Sequence, residues 1–155
     1  WRADDFPGVR TARMPPSERE PLLGVIHAGR KGVLGGIHQA AARHMINTHG
    51  VAVEDIRAYL GPSIGPDSYF FPTIAAQQLE IGRWQPFITQ KNGNYHVDIA
   101  GKLVGDLVEL GIKDKYIGRP RIDVGADTRY FSHVRHVRTG EPKGRNGFVA
   151  MVRRD

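Results

Sequence analysis

Apolar positions along this chain recur in two rhythms, and the change from one to the other marks its elements. Leu22 to His27 is a short apolar run, too brief for a helix, and it predicts a strand. After Gly29-Arg-Lys-Gly32 and Gly35-Gly36 the rhythm becomes helical, with Ile37, Ala41 and Met45 spaced four apart and Gly50 placed to end the helix in a left-handed cap. Ile56 to Leu60 predicts a second strand, which also runs into a glycine-proline loop, Gly61 to Pro66. A helix is expected over Pro72 to Ile81, and Lys91-Asn-Gly-Asn94 predicts a hairpin turn between short strands. Asp98 suits an N-cap, Ile99, Leu103, Leu107 and Leu110 form one apolar stripe, and Gly111 sits where a terminating glycine belongs. Further strands are expected at Ile122 to Val124 and Gly147 to Val152, while Trp1 to Pro21 has no period and reads as irregular. Strands alternating with helices place the chain in the α/β or mixed α+β class, as a single domain over residues 1–155.

Composition narrows the chemistry more than the fold. With no cysteine, the chain has no disulfide, no thiolate metal ligand and no cysteine nucleophile, so His, Asp and Glu are the available metal ligands. A formal charge of +6 and a pI near 9.9 favour anionic partners: phosphate, nucleotide, nucleic acid or an acidic surface. No stretch approaches the roughly 18 apolar residues of a membrane helix, and no basic-then-apolar leader opens the chain, so a soluble, cytoplasmic protein is expected, with no membrane partner.

The first glycine-rich loop, His27-Ala-Gly-Arg-Lys-Gly32, has the parts of an oxyanion cradle. Glycines allow backbone amides to approach an anion, Arg30 supplies a planar fork and Lys31 a point charge. The same glycines would also serve tight strand-helix packing, and the loop matches neither the Walker nor the dinucleotide fingerprint. In the second loop, two prolines and two glycines around Ser63 and Ile64 predict a rigid backbone, suited to a pocket wall or to a plain turn.

The two loops together resemble the laccase-domain family, also called multicopper polyphenol oxidases and purine nucleoside phosphorylases. His27-Ala-Gly-Arg-Lys-Gly is similar to the family's His-Ala-Gly-Trp-Arg/Lys-Gly, with Arg30 in place of tryptophan, and Gly61-Pro-Ser-Ile-Gly-Pro-Asp-Ser-Tyr69 is similar to Gly-Pro-x-Ile-Gly-Pro-x-x-Tyr/Phe. Ala3-Asp-Asp-Phe-Pro7, Asp98-Ile99 with its leucine helix, and Phe131-Ser132 with Arg135 and Gly144-Arg145 extend the resemblance over nearly the whole chain. It implies a four-layer α/β/β/α arrangement of mixed sheets and outer helices. It also implies phosphorolysis of inosine- or adenosine-type nucleosides, with associated deaminase activity, at a zinc site of two histidines and one cysteine. Copper-dependent phenol oxidation is the alternative activity, and peptidoglycan editing is described for some bacterial members.

The chain departs from that pattern at the metal. Of the three family ligands only His27 is present. Asp5 stands at the cysteine position, and the other histidine would lie upstream of Trp1, as expected of a divergent member lacking an N-terminal part. Asp123-Val-Gly-Ala126 replaces the family's Asp-x-Cys-Thr, and Phe131-Ser-His-Val-Arg135 its Phe-Ser-Tyr-Arg-Arg. The resulting expectation puts His27 and Asp5 at a zinc (alternatively copper) or acid-base centre, with Arg135 as a second anion contact. Arg30, Lys31 and Gly32 would take phosphate, and Ser63, Tyr69 and Phe70 the nucleoside. His38, His44, His49, His96, His133 and His136 read as core or solvated histidines. A competing class is a non-catalytic relative that binds nucleotide or nucleic acid through Arg129, Arg135, Arg138, Lys143 and Arg145.

Overall fold

A computed structural model of the chain describes residues 21–72, 81–119 and 121–151. The described residues form a mixed α+β structure, as expected. A short helix α1 (Arg30–Leu34) leads through Gly35 and Gly36 into α2 (Ile37–His49), which ends at Gly50 in the left-handed conformation, φ 65°. A 3-10 turn at Val53–Asp55 precedes β1 (Ala58–Tyr59), and β2 (Phe70–Phe71) follows the second glycine loop. Then come α3 (Ile81–Trp84), β3 (Ile88–Lys91), β4 (Asn94–Val97) and α4 (Ile99–Glu109). A second 3-10 turn, Asp114–Tyr116, leads into β5 (Ile117–Gly118), and α5 (His133–Thr139) is the last element among the described residues.

Two small sheets organise the chain. β2, β4 and β3 form an antiparallel sheet in that order, with β3 and β4 joined by the expected two-residue turn, where Asn92 (φ 51°) and Gly93 (φ 73°) are both left-handed. β1 and β5 pair in parallel, Ala58 with Ile117 and Tyr59 with Gly118, and a single parallel bridge from Ser63 to Asp123 continues the alignment with one additional residue on the β5 side. The chain leaving β1 therefore runs beside the chain leaving β5.

α4 joins the two halves of the core. Asp98 Oδ1 accepts from the Gly101 amide at 2.7 Å, the expected N-cap, and Gly111 takes a left-handed φ of 103° past the helix end. Val104 and Leu107 bury against Ala42, Ile56, Ile112 and Ile117, while Ile99 joins Val33, Trp84 and Val97 in a second cluster. Leu103 touches both clusters. Beneath this helix His38 Nε2 meets Asp106 Oδ2 at 3.0 Å, and Lys102 Nζ reaches both Asp106 oxygens at 3.0 and 3.2 Å, tying α2 to α4.

Three strand expectations are corrected. Residues 21–29 form no strand, because no described segment offers them a ladder, and Leu22, Leu23, Val25 and Ile26 stand exposed. Residues 147–151 likewise have no paired neighbour, and Ile122–Val124 contributes only the bridge at Asp123. Most of the helix expected over 72–81 and the irregular opening segment, including Asp5, lie outside the described residues. Among the described residues no helix is long and apolar enough to cross a membrane.

Candidate active site

The first loop is compact. Gly29 is the extended residue before α1, and a side chain there would meet the His27 ring, its Nε2 3.4 Å from the added carbon. At Gly32 an added carbon would press Ile37 at 3.3 Å and lie 3.5 Å from the His27 carbonyl oxygen. The glycines thus let His27 fold back over the start of α1. His27 and Lys31 are exposed and Arg30 is half-buried, while Val33, one turn on, is buried. This short helix is held by its apolar face and presents its polar start outward.

The second loop rests on the same support. Ala28 from the first loop, and Ile64 and Tyr69 from the second, all pack on the cluster around Val33, Trp84, Val97 and Ile99. Tyr69 turns its ring edge-on to Phe71, centroids 5.0 Å apart. Phe70, expected beside it as a stacking wall, is covered by the Arg138 guanidinium, 3.9 Å from the ring centroid. Arg138 also donates to the carbonyls of Ser68 at 2.8 Å and Phe70 at 2.7 Å. Open hollows flank this loop on either side of Asp67. One, of about 330 Å³, includes Phe87, Lys91, His96 and Asp98, and another, of about 290 Å³, includes Ser68, Gly125, Arg135 and Arg138.

Asp123 is the residue that sequence reasoning passed over. Its carboxylate accepts from the Gly65 amide at 2.9 Å, the Gly125 amide at 2.8 Å and the Ser68 hydroxyl at 2.6 Å, while the Ser63 carbonyl accepts from the Val124 amide at 3.0 Å. Burial pushes this carboxyl up, but the amides of Gly65, Gly125 and Ala126 and the Ser68 hydroxyl outweigh it, leaving the pKa below the ordinary carboxylate value. The signal was present in sequence as Asp123-Val-Gly, an acid two residues before a glycine, but its partners Gly65 and Ser68 lie far upstream.

Arg135 lies half-buried behind the same turn. Its Nη1 donates to the carbonyls of Val124 at 2.7 Å, Gly125 at 3.2 Å and Asp127 at 3.3 Å; its Nη2 donates to Tyr130 O and its Nε to Glu141. The guanidinium expected as an anion contact is thus committed to the protein backbone and one carboxylate. Arg129 is paired with Asp127, whose carboxyl that hydrogen bond pulls down to about 2, and Arg145 donates to the Gly144 carbonyl. Arg135 and Arg138 of the basic segment are therefore engaged within the fold, whereas Arg129 pairs locally and its side chain stays 79% exposed.

The model describing the multi-copper polyphenol oxidoreductase laccase family matches residues 16–153. The chain belongs to the laccase-domain family. It is 32% identical over 122 residues to a purine nucleoside phosphorylase of Mycobacterium bovis, covering 79% of this chain and 48% of that protein. It is 34% identical over 119 residues to the human purine nucleoside phosphorylase LACC1, covering 72% of this chain and 27% of the relative. Among solved laccase-domain structures, YlmD of Geobacillus stearothermophilus superposes with a TM-score of 0.62 at 23% identity, over 76% of this chain and 44% of that one, a likeness of fold. The Bacillus licheniformis protein YfiH gives 0.53 at 27% identity, over 63% and 38%. The chain spans about half the length of the mycobacterial relative it matches, and less of the human one.

Laccase-domain proteins bind copper or zinc, and the donors described here do not assemble such a site. Among the described residues no three of His, Asp and Glu gather closely enough to hold a metal ion, and the chain has no cysteine. His27 is in place at the first loop, whereas its expected partner Asp5 lies outside the described residues.

Proposed function

We propose that this laccase-domain chain binds a purine nucleoside and phosphate and supports phosphorolysis, with Arg30 and Lys31 on the phosphate. The observation that carries the reading is the convergence of both loops on one buried cluster, through Ala28 on one side and Ile64 and Tyr69 on the other. Relatives named purine nucleoside phosphorylase give the substrate class.

In this reaction a phosphate oxygen bonds to the anomeric carbon as the carbon-nitrogen bond to the base breaks. The bond's electrons leave with the base, which takes up a proton. Positive charge develops on the sugar, so most of the protein's contribution is placement and electrostatics. Arg30 offers a fork and Lys31 an exposed ammonium at the start of α1. His27, folded over Gly29, is assigned the proton transfer to the base. Ser63 and the backbone of the second loop form the nucleoside wall, with Tyr69 supporting it from the core side. No step is assigned to a metal ion.

The test is direct. The purified chain is incubated with inosine or adenosine and phosphate, and free base and ribose 1-phosphate are measured; product is expected, and none with either nucleoside would sink the reading. In Arg30→Ala the KM for phosphate should rise by about tenfold or more, the cost of one charge-assisted contact. An unchanged KM would remove Arg30 from the phosphate.

A further inference from the structure

The turn that follows the parallel bridge is held from both sides by side chains of opposite charge. Its Gly125 amide donates to the Asp123 carboxylate and its Ala126 amide to the Asp123 backbone carbonyl, while its carbonyl groups, from Val124, Gly125 and Asp127, accept from the Arg135 guanidinium. The same carboxylate reaches across to the Gly65 amide and the Ser68 hydroxyl in the second loop. Space there is closed: a side chain on Gly65 would lie 2.8 Å from Asp123 Oδ2, and one on Gly125 would collide with Ser68. Departures from this joint break several hydrogen bonds to half-buried groups at once, which disfavours them.

We propose that Asp123 and Arg135 form a two-sided clamp that sets the shape of the Gly61–Tyr69 loop for nucleoside binding, both acting as positioning residues and neither touching the ligand. This rests on the nucleoside and phosphate reading above. The clamp lies on the second loop, whereas phosphate is assigned to the first, so the two substrates should respond differently when it is loosened. Asp123→Asn keeps one oxygen for the Gly65 and Gly125 amides but turns a donor toward Ser68, a partial repair. Asp123→Ala removes every contact, and Arg135→Lys replaces a planar fork that spans several carbonyls with a single ammonium.

The experiment measures KM for nucleoside and for phosphate separately, together with hydrogen exchange of the 61–69 backbone, in the parent chain, Asp123→Asn, Asp123→Ala and Arg135→Lys. Nucleoside KM should rise by about tenfold in Asp123→Ala and Arg135→Lys and by less in Asp123→Asn, with phosphate KM within about twofold of the parent. Exchange at Gly65 should quicken in the same order. Loss of folded protein alone would lower kcat and leave both KM values unmoved, and that pattern, or an equal rise in both, overturns the proposal. Should Asp123→Ala not fold, Asp123→Asn and Ser68→Ala carry the same comparison. If the parent chain forms no product, the phosphorolysis reading falls and exchange alone decides the clamp. Unaltered exchange over 61–69 in Asp123→Asn and Arg135→Lys would then overturn it, and quickening confined to that loop would support it.

Discussion

Replacing Asp106 with asparagine should destabilise the chain at neutral pH and extend its acid-sensitive range. Asp106 is the shared partner of His38 and Lys102, whose side chains are 2% and 15% exposed, and is itself 13% exposed. Removing one member of a fully buried ion pair costs about 3–5 kcal/mol. Here Lys102 keeps some water and an asparagine oxygen can still accept, so about 1–3 kcal/mol is expected, or roughly 2–4 °C of melting temperature per kcal/mol for a chain of this size. His38 supplies the pH dependence. Burial lowers its pKa below 6.5, against the raising effect of the Asp106 hydrogen bond and charge and with a smaller lowering from Lys102, and its buried Nδ1 finds no hydrogen-bond partner among the described residues. As pH drops through 6.5 the unfolded chain takes up a proton that the folded chain refuses, so stability declines until the folded pKa is reached, by at most about 1.4 kcal/mol per pH unit. Without the Asp106 charge the folded pKa falls further, and the decline should start at the same pH but continue to a lower one. Urea unfolding of the parent, Asp106→Asn and His38→Gln between about pH 7.5 and 5 measures this; His38→Gln retains a donor toward Asp106 without titrating and should flatten the slope. Equal neutral stability of Asp106→Asn and the parent, or an unchanged slope in His38→Gln, would refute the reasoning.

Ile112, 1% exposed, should lose about 2–5 kcal/mol on truncation to alanine, read as a lower urea midpoint with an unchanged slope. Gly125→Ala would drive a methyl into Ser68 and should cost about 1–3 kcal/mol in the same assay, whereas Gly50→Ala, with φ 65° and open space around it, should cost only the conformational strain of about 1 kcal/mol. The depressed pKa of Asp123 means that its contribution is complete above the ordinary value of 3.8 and is lost as pH falls through the folded one; an acid titration followed by circular dichroism should show Asp123→Asn losing less stability over that range.

Elements whose cause is local were legible in the sequence. The stripe of Ile99, Leu103 and Leu107 with Asp98 before it gave α4 and its cap, Asn92-Gly93 gave the hairpin, and Gly50 gave the end of α2. Strands were harder, because an apolar run says nothing about whether a neighbour is there to pair with it. Leu22 to Ile26 has the composition of a strand and no ladder, while Phe70–Phe71 pairs with β4 after a loop that gave no period. The helix α5 was hidden by its polar sequence, although Ser132 caps the Arg135 amide and Gly140 closes the other end at φ 76°. At the candidate site the two loops were readable from their glycines. The role of Asp123 was not, because a carboxylate's worth depends on which amides the fold brings to it. The partners of Arg135 were hidden for the same reason: a cation in a basic segment looks available until the carbonyls around it are counted.

The link between Gly65 and Asp123 spans 58 residues, whereas the β3–β4 hairpin and α4 are made from neighbours in the chain. Closing so long a segment carries an entropic cost that local elements do not meet, so the second loop should acquire its final shape late in folding, after β1 and β5 have found each other. In the native ensemble the same asymmetry runs in reverse. Opening of the loop assigned to the nucleoside has to break its bonds to Asp123, and ligand binding there should slow that opening before it slows global unfolding.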